Sequence, residues 1–368
     1  MQVRSVLPAL LIIAAIVLTS CASDPATTPS RSFLQGTSDD PQIGLLINST
    51  GRALTMFQLG DPAEQRQIPL GASNSVTPVG MSRRGLKAAV PLGAAGSVAL
   101  IDLAGERIER FFIFPGGNAT GSVFVDDLTI IAGNLVDDYV GKVRIDQAAD
   151  QITDTVSVVP APAAIVSDGA LVYVISGNLD DAFAPLGNGI VTIIDPATMT
   201  VVDTVHSGGA NSQAAAFGPD GLLYVVNTLD FVSDGSVTVI DPVTRRIVTT
   251  VSGFGAGPGS ITIGSNGLAY VSGFFFGTVV WNTVTRQFVR DANDPVCARL
   301  AAVQGTPCRG ASAAVADRDG RLYQTFFGDT PQGLPPAVFV YQAGTFELSD
   351  SLEAGVGPIS IDVAVFQN

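Results

Sequence analysis

The sequence predicts an all-β protein: a seven-bladed β-propeller of four-stranded antiparallel blades, closed by the C-terminal strand joining the first blade. Three observations support this prediction. Short β-type runs are separated by Gly, Asp, Asn and Pro, without a helical period. One four-strand unit recurs along the chain, and the two chain ends supply complementary parts of one unit. The 46% hydrophobic content and 40 glycines fit a large, turn-rich fold with a buried core.

The recurring unit is clearest in the middle of the chain. Residues 215–217, 222–227, 236–241 and 247–251 are its four predicted strands. Asp241 and Pro242 end the third strand, where proline fixes φ and the aspartate accepts a hydrogen bond from the backbone two residues on. The preceding copy has the same order, so the unit predicts four strands joined by three tight connections.

A polar residue after the third strand marks each copy. Successive markers are 41 to 49 residues apart, and 60 apart in the last interval, which contains an insertion. Seven copies at this period indicate a propeller rather than a sandwich. The markers are Gln58, Asp102, Asp146, Asp195, Asp241, Asn282 and Gln342.

The ends of the chain predict how the ring closes. The first copy begins at a second strand, residues 43–47, and lacks a first strand. The chain finishes with an unpartnered strand, residues 359–366, after Gly357 and Pro358. We expect this last strand to complete the first blade and to leave no exposed edge in the ring.

Blades four and five resemble the YVTN β-propeller repeat family. Residues 224–227 (Tyr-Val-Val-Asn) match its namesake tetrapeptide in three of four positions, and residues 236–241 match its later strand. Residues 270–273 match moderately, and the first three blades match only in outline. The resemblance implies a surface or periplasmic propeller and does not imply one chemistry.

The N-terminus predicts export and lipid anchoring. Residues 7–18 are an apolar run too short for a comfortable transmembrane span, and Leu18-Thr19-Ser20-Cys21 follows. This segment resembles the bacterial lipoprotein lipobox, which implies that Cys21 carries a diacylglyceryl group; an ordinary cleaved signal is the alternative. We divide the chain into a signal peptide (1–20), a lipidated cysteine with a flexible spacer (21–42) and the propeller (43–368).

We therefore expect an exported protein, anchored to the cell membrane or to the outer membrane on a periplasmic or extracellular face. Ala22 and Ser23 after the cysteine favour the outer membrane if the cell is Gram-negative.

The formal net charge of −14 argues against nucleic acid as a partner. We expect a monomer.

Cys297 and Cys308 are the two other cysteines. In an exported chain they most simply form a disulfide that closes a local loop, and a metal-binding or catalytic pair is the alternative.

The chain offers few residues that could catalyse a reaction. It has one histidine, His206, at the end of a predicted outer strand, and no serine in a Gly-x-Ser-x-Gly elbow. We name no catalytic residue and no resident cofactor, and we expect a protein that is not an enzyme.

A binding rim is the remaining functional candidate. In a four-stranded repeat, the loop between the second and third strands lies on the same rim as the connection between blades. Three adjacent blades place amides and carboxylates there, and phenylalanines follow in later blades at 254, 274–276, 326 and 327. The candidate ligand residues are Asn134, Asp137, Asp138, Asn178, Asp180, Asp181, Asn227, Asp230 and Asp234.

These residues suggest a non-enzymatic binding or scaffold module for a cationic peptide, a partner protein or Ca²⁺. One alternative is that Asn and Asp only form turns while the aromatic residues pack between blades. Another is a Ca²⁺-dependent hydrolase or lactonase of the gluconolactonase-like propeller type. Its axial ion would draw on Asn178, Asn227 and Asp230, although no glutamate lies in these loops.

Overall fold

The computed structural model describes Leu34 and residues 42–59, 62, 64–114, 116–152, 154–297, 310–329 and 333–365. The described residues belong to one compact unit, within residues 32–368. The signal peptide, Cys21 and Cys308 lie outside the described residues, so the predictions about them stay predictions. No helix long and apolar enough to cross a bilayer occurs within the described ranges.

The unit consists of seven four-stranded antiparallel sheets, which confirms the predicted seven-bladed propeller. Blade 1 combines strands from both ends of the chain: β1 (Gln42–Asn48), β2 (Ala53–Gln58), β3 (Gln65–Pro69) and β28 (Pro358–Val365). Blades 2 to 7 each use four consecutive strands.

Blade 2 contains β4 (Ser82–Arg84), β5 (Lys87–Pro91), β6 (Ser97–Asp102) and β7 (Arg107–Ile113). Blade 3 contains β8 (Ala119–Phe124), β9 (Thr129–Asn134), β10 (Tyr139–Arg144) and β11 (Asp154–Ser157). Blade 4 contains β12 (Pro162–Ser167), β13 (Val172–Ser176), β14 (Asn188–Asp195) and β15 (Thr200–Ala210).

Blade 5 contains β16 (Ser212–Phe217), β17 (Leu223–Asn227), β18 (Asp234–Asp241) and β19 (Arg246–Ala256). Blade 6 contains β20 (Pro258–Ile263), β21 (Leu268–Gly273), β22 (Gly277–Asn282) and β23 (Gln287–Arg290). Blade 7 contains β24 (Ala314–Ala316), β25 (Leu322–Phe326), β26 (Ala337–Tyr341) and β27 (Leu348–Glu353).

The ring closes as the chain ends predict. β28 pairs antiparallel with β1, with Ile43 opposite Ala364 and Leu45 opposite Asp362. The inner strands of neighbouring blades contact one another around the axis. Between blades 2 and 1, Arg83 of β4 forms an ion pair with Asp362 of β28 at 3.1 Å. The terminal strand therefore gives blade 1 the inner strand that its own segment lacks.

Four marker residues end their strands by accepting hydrogen bonds from backbone N–H groups: Asp102, Asp195, Asp241 and Asn282. Asp241 Oδ1 accepts hydrogen bonds from the N–H groups of Val243 (2.8 Å) and Thr244 (3.2 Å). Asn282 does the same for the two corresponding residues of blade 6. Such local bonds compete with the strand ladder and turn the chain at this point. Most markers are the last residue of their strand, while Asp146 and Gln342 lie just beyond it.

Aromatic side chains fill the space between blades. Trp281 of blade 6 is fully buried, and its ring lies 6.0 Å from that of Tyr224 and 5.9 Å from that of Phe254, both of blade 5. Edge-to-face contacts of this kind add to the stability gained from burial. The sole tryptophan therefore helps to fix blade 6 against blade 5.

Two outer strands run further than the sequence predicts. β15 and β19 end at Ala210 and Ala256, five residues beyond the apolar runs that predicted them. Their ladders contain register shifts, and Gly208 and Gly253 adopt positive φ values of 78° and 97°. A bulge lets a strand continue after a local change of direction, which an apolar pattern alone does not reveal. His206 consequently lies exposed within β15 rather than after it.

Candidate functional site

Two sets of loops share one rim of the ring, as the sequence predicts. The loop after β17 contacts the connection between blades 4 and 5, because the N–H of Thr228 donates to the carbonyl of Asn211 (3.0 Å). The same pattern joins Asn178 to Pro160 (3.0 Å) in blade 4. We call this side, formed by the second-to-third-strand loops and the connections between blades, the upper rim. The lower rim carries the other two loops of each blade.

The nine predicted ligand residues lie on the upper rim, but the asparagines shape the loops. Asn227 is fully buried. Its Nδ2 donates to the carbonyl of Ser207 (3.2 Å), Ser236 Oγ (3.1 Å) and Thr238 Oγ1 (3.0 Å). Its Oδ1 accepts from Ser212 Oγ at 2.8 Å. With these bonds made, the amide of Asn227 holds three segments of blades 4 and 5 together and faces no ligand.

Asn134 and Asn178 serve the loops of blades 3 and 4. Asn134 is buried, and its Oδ1 accepts from the N–H groups of Asn118, Val136 and Asp137 at 3.1–3.2 Å. Asn178 Nδ2 donates to the carbonyl of Asn188 at 2.9 Å. The structure therefore shows the three asparagines fixing loops and neighbouring segments of the fold.

The aspartates of the upper rim are more accessible than the asparagines. Asp180 Oδ1 accepts from the N–H groups of Ala182 (2.9 Å) and Ala184 (2.8 Å). The N–H groups of Ser233 and Val232 donate to Asp230, and they hold the pKa of this exposed carboxyl below its usual range. Asp230 Oδ2 also accepts from Ser233 Oγ at 3.0 Å. Both carboxyl groups are exposed, so these loops combine a fixed backbone with negative charge at the surface.

The four other rim aspartates differ in their surroundings. Asp138 is half-buried and accepts from the N–H of Ala161 at 2.9 Å. Asp234 is exposed at the start of β18. Asp137 and Asp181 are exposed as well, and Asp137 Oδ2 accepts from Asn134 Nδ2 at 3.1 Å. The carboxylates thus follow the curve of the rim in separate loops.

The rim carboxylates do not converge on the axis. An axial channel of about 480 Å³ is lined mainly by small or apolar residues of the inner strands, such as Ala164, Ala214 and Ile261. Asn178, Asn227 and Asp230, the ligands that a lactonase-like site requires, are absent from this lining. Across the described ranges, no group of three His, Cys, Asp or Glu residues is arranged to hold a metal ion.

The predicted aromatic residues divide into two sets. Phe254, Phe276 and Phe326 are buried in the contacts between strands and blades. Phe274, Phe275 and Phe327 are exposed on the upper rim. The alternative that all of these rings pack between blades is therefore correct for the first set only.

The exposed rings form a continuous surface from blade 5 to blade 1. Phe231 and Phe275 both contact Gly257, with ring atoms 3.1 and 3.3 Å from the position that a Cβ would occupy there. The rings of Phe274 and Phe327 meet edge to face at 6.3 Å. Phe327 also borders Gly357, next to the exposed Val356. We call this surface the apolar arc; it consists of Phe231, Val232, Phe274, Phe275, Phe327 and Val356.

Some apolar residues of the rim were missed by the sequence reasoning. Val136, Leu186 and Val232 are exposed, and Val232 is 82% exposed. The sequence does contain a signal for their exposure, because each of these residues lies inside a predicted loop rather than in a strand with alternating apolar residues. Apolar side chains in the middle of a polar loop gain no burial from the fold.

Two phenylalanines of the rim have a strained backbone. Phe183 and Phe231 adopt φ values of 60° and 63° in the left-handed region. A bulky side chain is disfavoured there, and asparagine or glycine would fit at lower cost. Both rings are exposed, so the fold recovers little of this cost by burying them. Strain of this kind is concentrated at functional sites.

Charge is distributed unevenly between the rims. Among the described residues of the upper rim, the basic ones are Arg52 and Arg290, and both are engaged. Arg52 donates to the carbonyl of Ala72 and to Asn74 Oδ1, and Arg290 pairs with Asp294. The lower rim and its strand ends hold most of the other described basic residues. In its described part, the upper rim therefore combines an apolar surface with carboxylates, such as those of Asp230 and Asp234, that no basic side chain of that part pairs with.

Comparison with known proteins supports the fold and leaves the function open. No family model matches the chain, and no curated protein sequence matches it. Among solved structures, it is similar to the hydrazine synthase of Kuenenia stuttgartiensis, with a TM-score of 0.60. That match covers 81% of this chain and 97% of the other at 14% identity. Similarity at this level indicates a shared fold and says nothing about activity.

Proposed function

We propose that this chain is a lipid-anchored protein of the cell envelope whose upper rim binds a partner protein without catalysing a reaction. The observation that carries the proposal is the apolar arc, because soluble proteins rarely expose a continuous apolar surface of this kind unless it is an interaction site. Aromatic side chains also contribute large contact areas at low entropic cost. In this role the propeller is a rigid platform, and the loops of the upper rim form its contact surface.

The anchor is part of the proposal and is supported by the lipobox-like segment. Leu34 packs against the core between blades 1 and 2. Between a lipid on Cys21 and Leu34, a fully extended chain reaches at most roughly 45 Å. The proposed tether would therefore keep the propeller close to the membrane and to other envelope proteins. Export also favours oxidation of Cys297 and Cys308 to the proposed disulfide.

In vivo photo-cross-linking tests the proposed function. Val232 on the upper rim and Val243 on the lower rim are exposed loop valines, at 82% and 88%. A benzophenone amino acid replaces one or the other in the full-length chain, expressed in its own host and irradiated. We expect a discrete covalent adduct from position 232 and none from position 243. Equal adducts from both positions, or none from position 232, would contradict the proposal.

A second measurement tests the anchor. We expect radioactive palmitate to label the wild-type chain, and the label to disappear in Cys21→Ser. Retention of the label in this variant would exclude Cys21 as the site of attachment.

A further inference from the structure

Two exposed phenylalanine rings approach the same glycine on the upper rim. Phe231 and Phe275 are 54% and 63% exposed, and atoms of their rings lie 3.1 and 3.3 Å from the position that a Cβ of Gly257 would occupy. Because Gly257 has no side chain, both rings can come this close to its backbone. Gly257 also has a φ of 70°, which disfavours any residue with a Cβ at this position. We call this feature the phenylalanine slot.

Carboxylates stand next to the slot. Asp230 directly precedes Phe231 in the chain. Asp234 lies opposite Ala256 in the β18–β19 ladder, and Ala256 is the neighbour of Gly257. Both aspartates are exposed. The slot therefore has aromatic walls and negative charge at its border.

The chain does not neutralise this charge with its own cations in the described part of the rim. Arg52 belongs to the loop of blade 1 and bonds to Ala72 and Asn74, away from blades 5 and 6. Arg290 is paired with Asp294 at the end of β23. An incoming cation would thus find both an aromatic face and the carboxylate of Asp234, which pairs with no basic side chain of the described residues.

We propose that the phenylalanine slot receives the guanidinium or ammonium group of a polypeptide partner, whose neighbouring apolar side chains lie along the apolar arc. This inference rests on the proposed function and adds the chemistry of the partner. A cation over an aromatic face gains energy from the ring quadrupole, and a nearby carboxylate adds a charge-assisted hydrogen bond. Arginine suits both contacts, because its planar group stacks on a ring and donates from its edge.

The backbone of the loop that carries Phe231 is already fixed before a partner binds. Phe231 is held in the left-handed region by a loop that Asp230 stabilises through the N–H groups of Val232 and Ser233. A loop already fixed in its binding geometry loses little entropy when the partner arrives. The carboxylate of Asp234 does not take part in that loop's hydrogen bonds to Asp230, so its replacement by an amide leaves the loop intact.

Peptide binding to the full-length chain in detergent micelles tests the inference. The probes are three fluorescent peptides in which leucine alternates with arginine, with citrulline or with glutamate. Citrulline has the shape of arginine without its charge. Fluorescence anisotropy should show that the arginine peptide binds about tenfold more tightly than the citrulline peptide, and that the glutamate peptide binds least.

Variants assign the effect to the slot. Phe275→Ala, Phe231→Asn and Asp234→Asn should each weaken binding of the arginine peptide by about fivefold or more. Asparagine suits the left-handed backbone at position 231, so this variant keeps the loop folded. Val243→Ala and Asp319→Asn are the matched controls on the lower rim and should bind as the wild type does.

Several results would overturn the inference. They are equal affinity for the arginine and citrulline peptides, wild-type affinity in the three slot variants, or no binding of the arginine peptide at about 1 mM. If position 232 still gives its cross-linked partner in that case, the proposed function stands and only the cationic ligand is wrong. If the cross-link is absent too, both fail.

Discussion

The hydroxyl of Tyr224 donates a hydrogen bond of 2.6 Å to Asp220 Oδ2. Asp220 lies in the turn between the first two strands of blade 5, and its Oδ1 accepts from the N–H of Leu222 at 3.1 Å. Tyr224 is fully buried against Trp281 of the next blade. This pair thus connects a lower-rim turn to the contact between blades. Tyr173 and Asp168 repeat the bond in blade 4 at 2.8 Å.

Removal of the Tyr224 hydroxyl should destabilise the propeller. Tyr224→Phe leaves the ring in place but removes the donor to Asp220, which typically costs about 1 kcal/mol or slightly more. Chemical denaturation of the wild type and the variant measures this difference. Tyr139→Phe is the control, because Tyr139 is half-buried at the start of β10. An equal effect in both variants would contradict the assigned role.

Acid should destabilise blade 4 through Asp168. Burial alone raises the pKa of this carboxyl, but the N–H groups of Leu171 and Ala170 and the Tyr173 hydroxyl outweigh burial and lower the pKa. A lowered pKa in the folded state means that the stabilisation is present above the unfolded pKa, about 4, and is lost as pH falls through the folded value. We expect the melting temperature of the wild type to fall more steeply below about pH 4 than that of Asp168→Asn. Parallel curves would contradict this prediction, and Asp181→Asn serves as the exposed control.

Relief of backbone strain at Phe231 should stabilise the fold. Phe231→Asn places a residue that tolerates the left-handed region where a phenylalanine now stands, and we expect a gain of about 0.5–1 kcal/mol in the free energy of unfolding. Phe275→Asn, in the neighbouring loop without a positive φ, should give no such gain. Denaturant unfolding compares the two. A loss of stability in Phe231→Asn would show that the ring supports the fold after all.

Calcium should leave the melting temperature unchanged. The rim carboxylates lie in separate loops, and several already accept backbone N–H groups, whereas a calcium site requires six to eight oxygens around one point. Thermal melts in about 5 mM Ca²⁺ and in excess chelator make the comparison. A rise of several degrees with Ca²⁺ would favour the hydrolase or lactonase hypothesis instead.

The fold was predictable because its signals are local. Asp241 with Pro242, and the Gly-Pro-Asp-Gly turn at 218–221, set the chain direction through bonds within a few residues. Ring closure followed from counting strands. The lengths of β15 and β19 were not predictable, since they depend on bulges at glycines that an apolar pattern does not report.

The site was predictable only in part. Its place on one rim followed from the repeat, but the exposure of each side chain depends on the neighbouring blade. Phe275 and Phe276 are adjacent in sequence, yet Phe275 lies over Gly257 in solvent while Phe276 is buried against Gly255. Asn227 was expected to face a ligand, and its amide instead bonds to Ser207, Ser236 and Thr238. Ser236 and Thr238 lie in the next strand of the same blade and Ser207 in the last strand of the preceding blade, so the pairing of strands and blades, and not the local sequence, decides the partners of this amide.

The central claim is that the apolar arc binds a partner, and the yield of cross-linked adduct from position 232 tests it most directly. The yield is compared between the otherwise wild-type chain and a chain that also carries Phe275→Ser and Phe327→Ser, with Val284→Ser on the lower rim as the control. We expect the double replacement to reduce the yield about fivefold or more and the control to leave it unchanged. A yield that persists in the double variant would contradict the claim that this surface makes the contact.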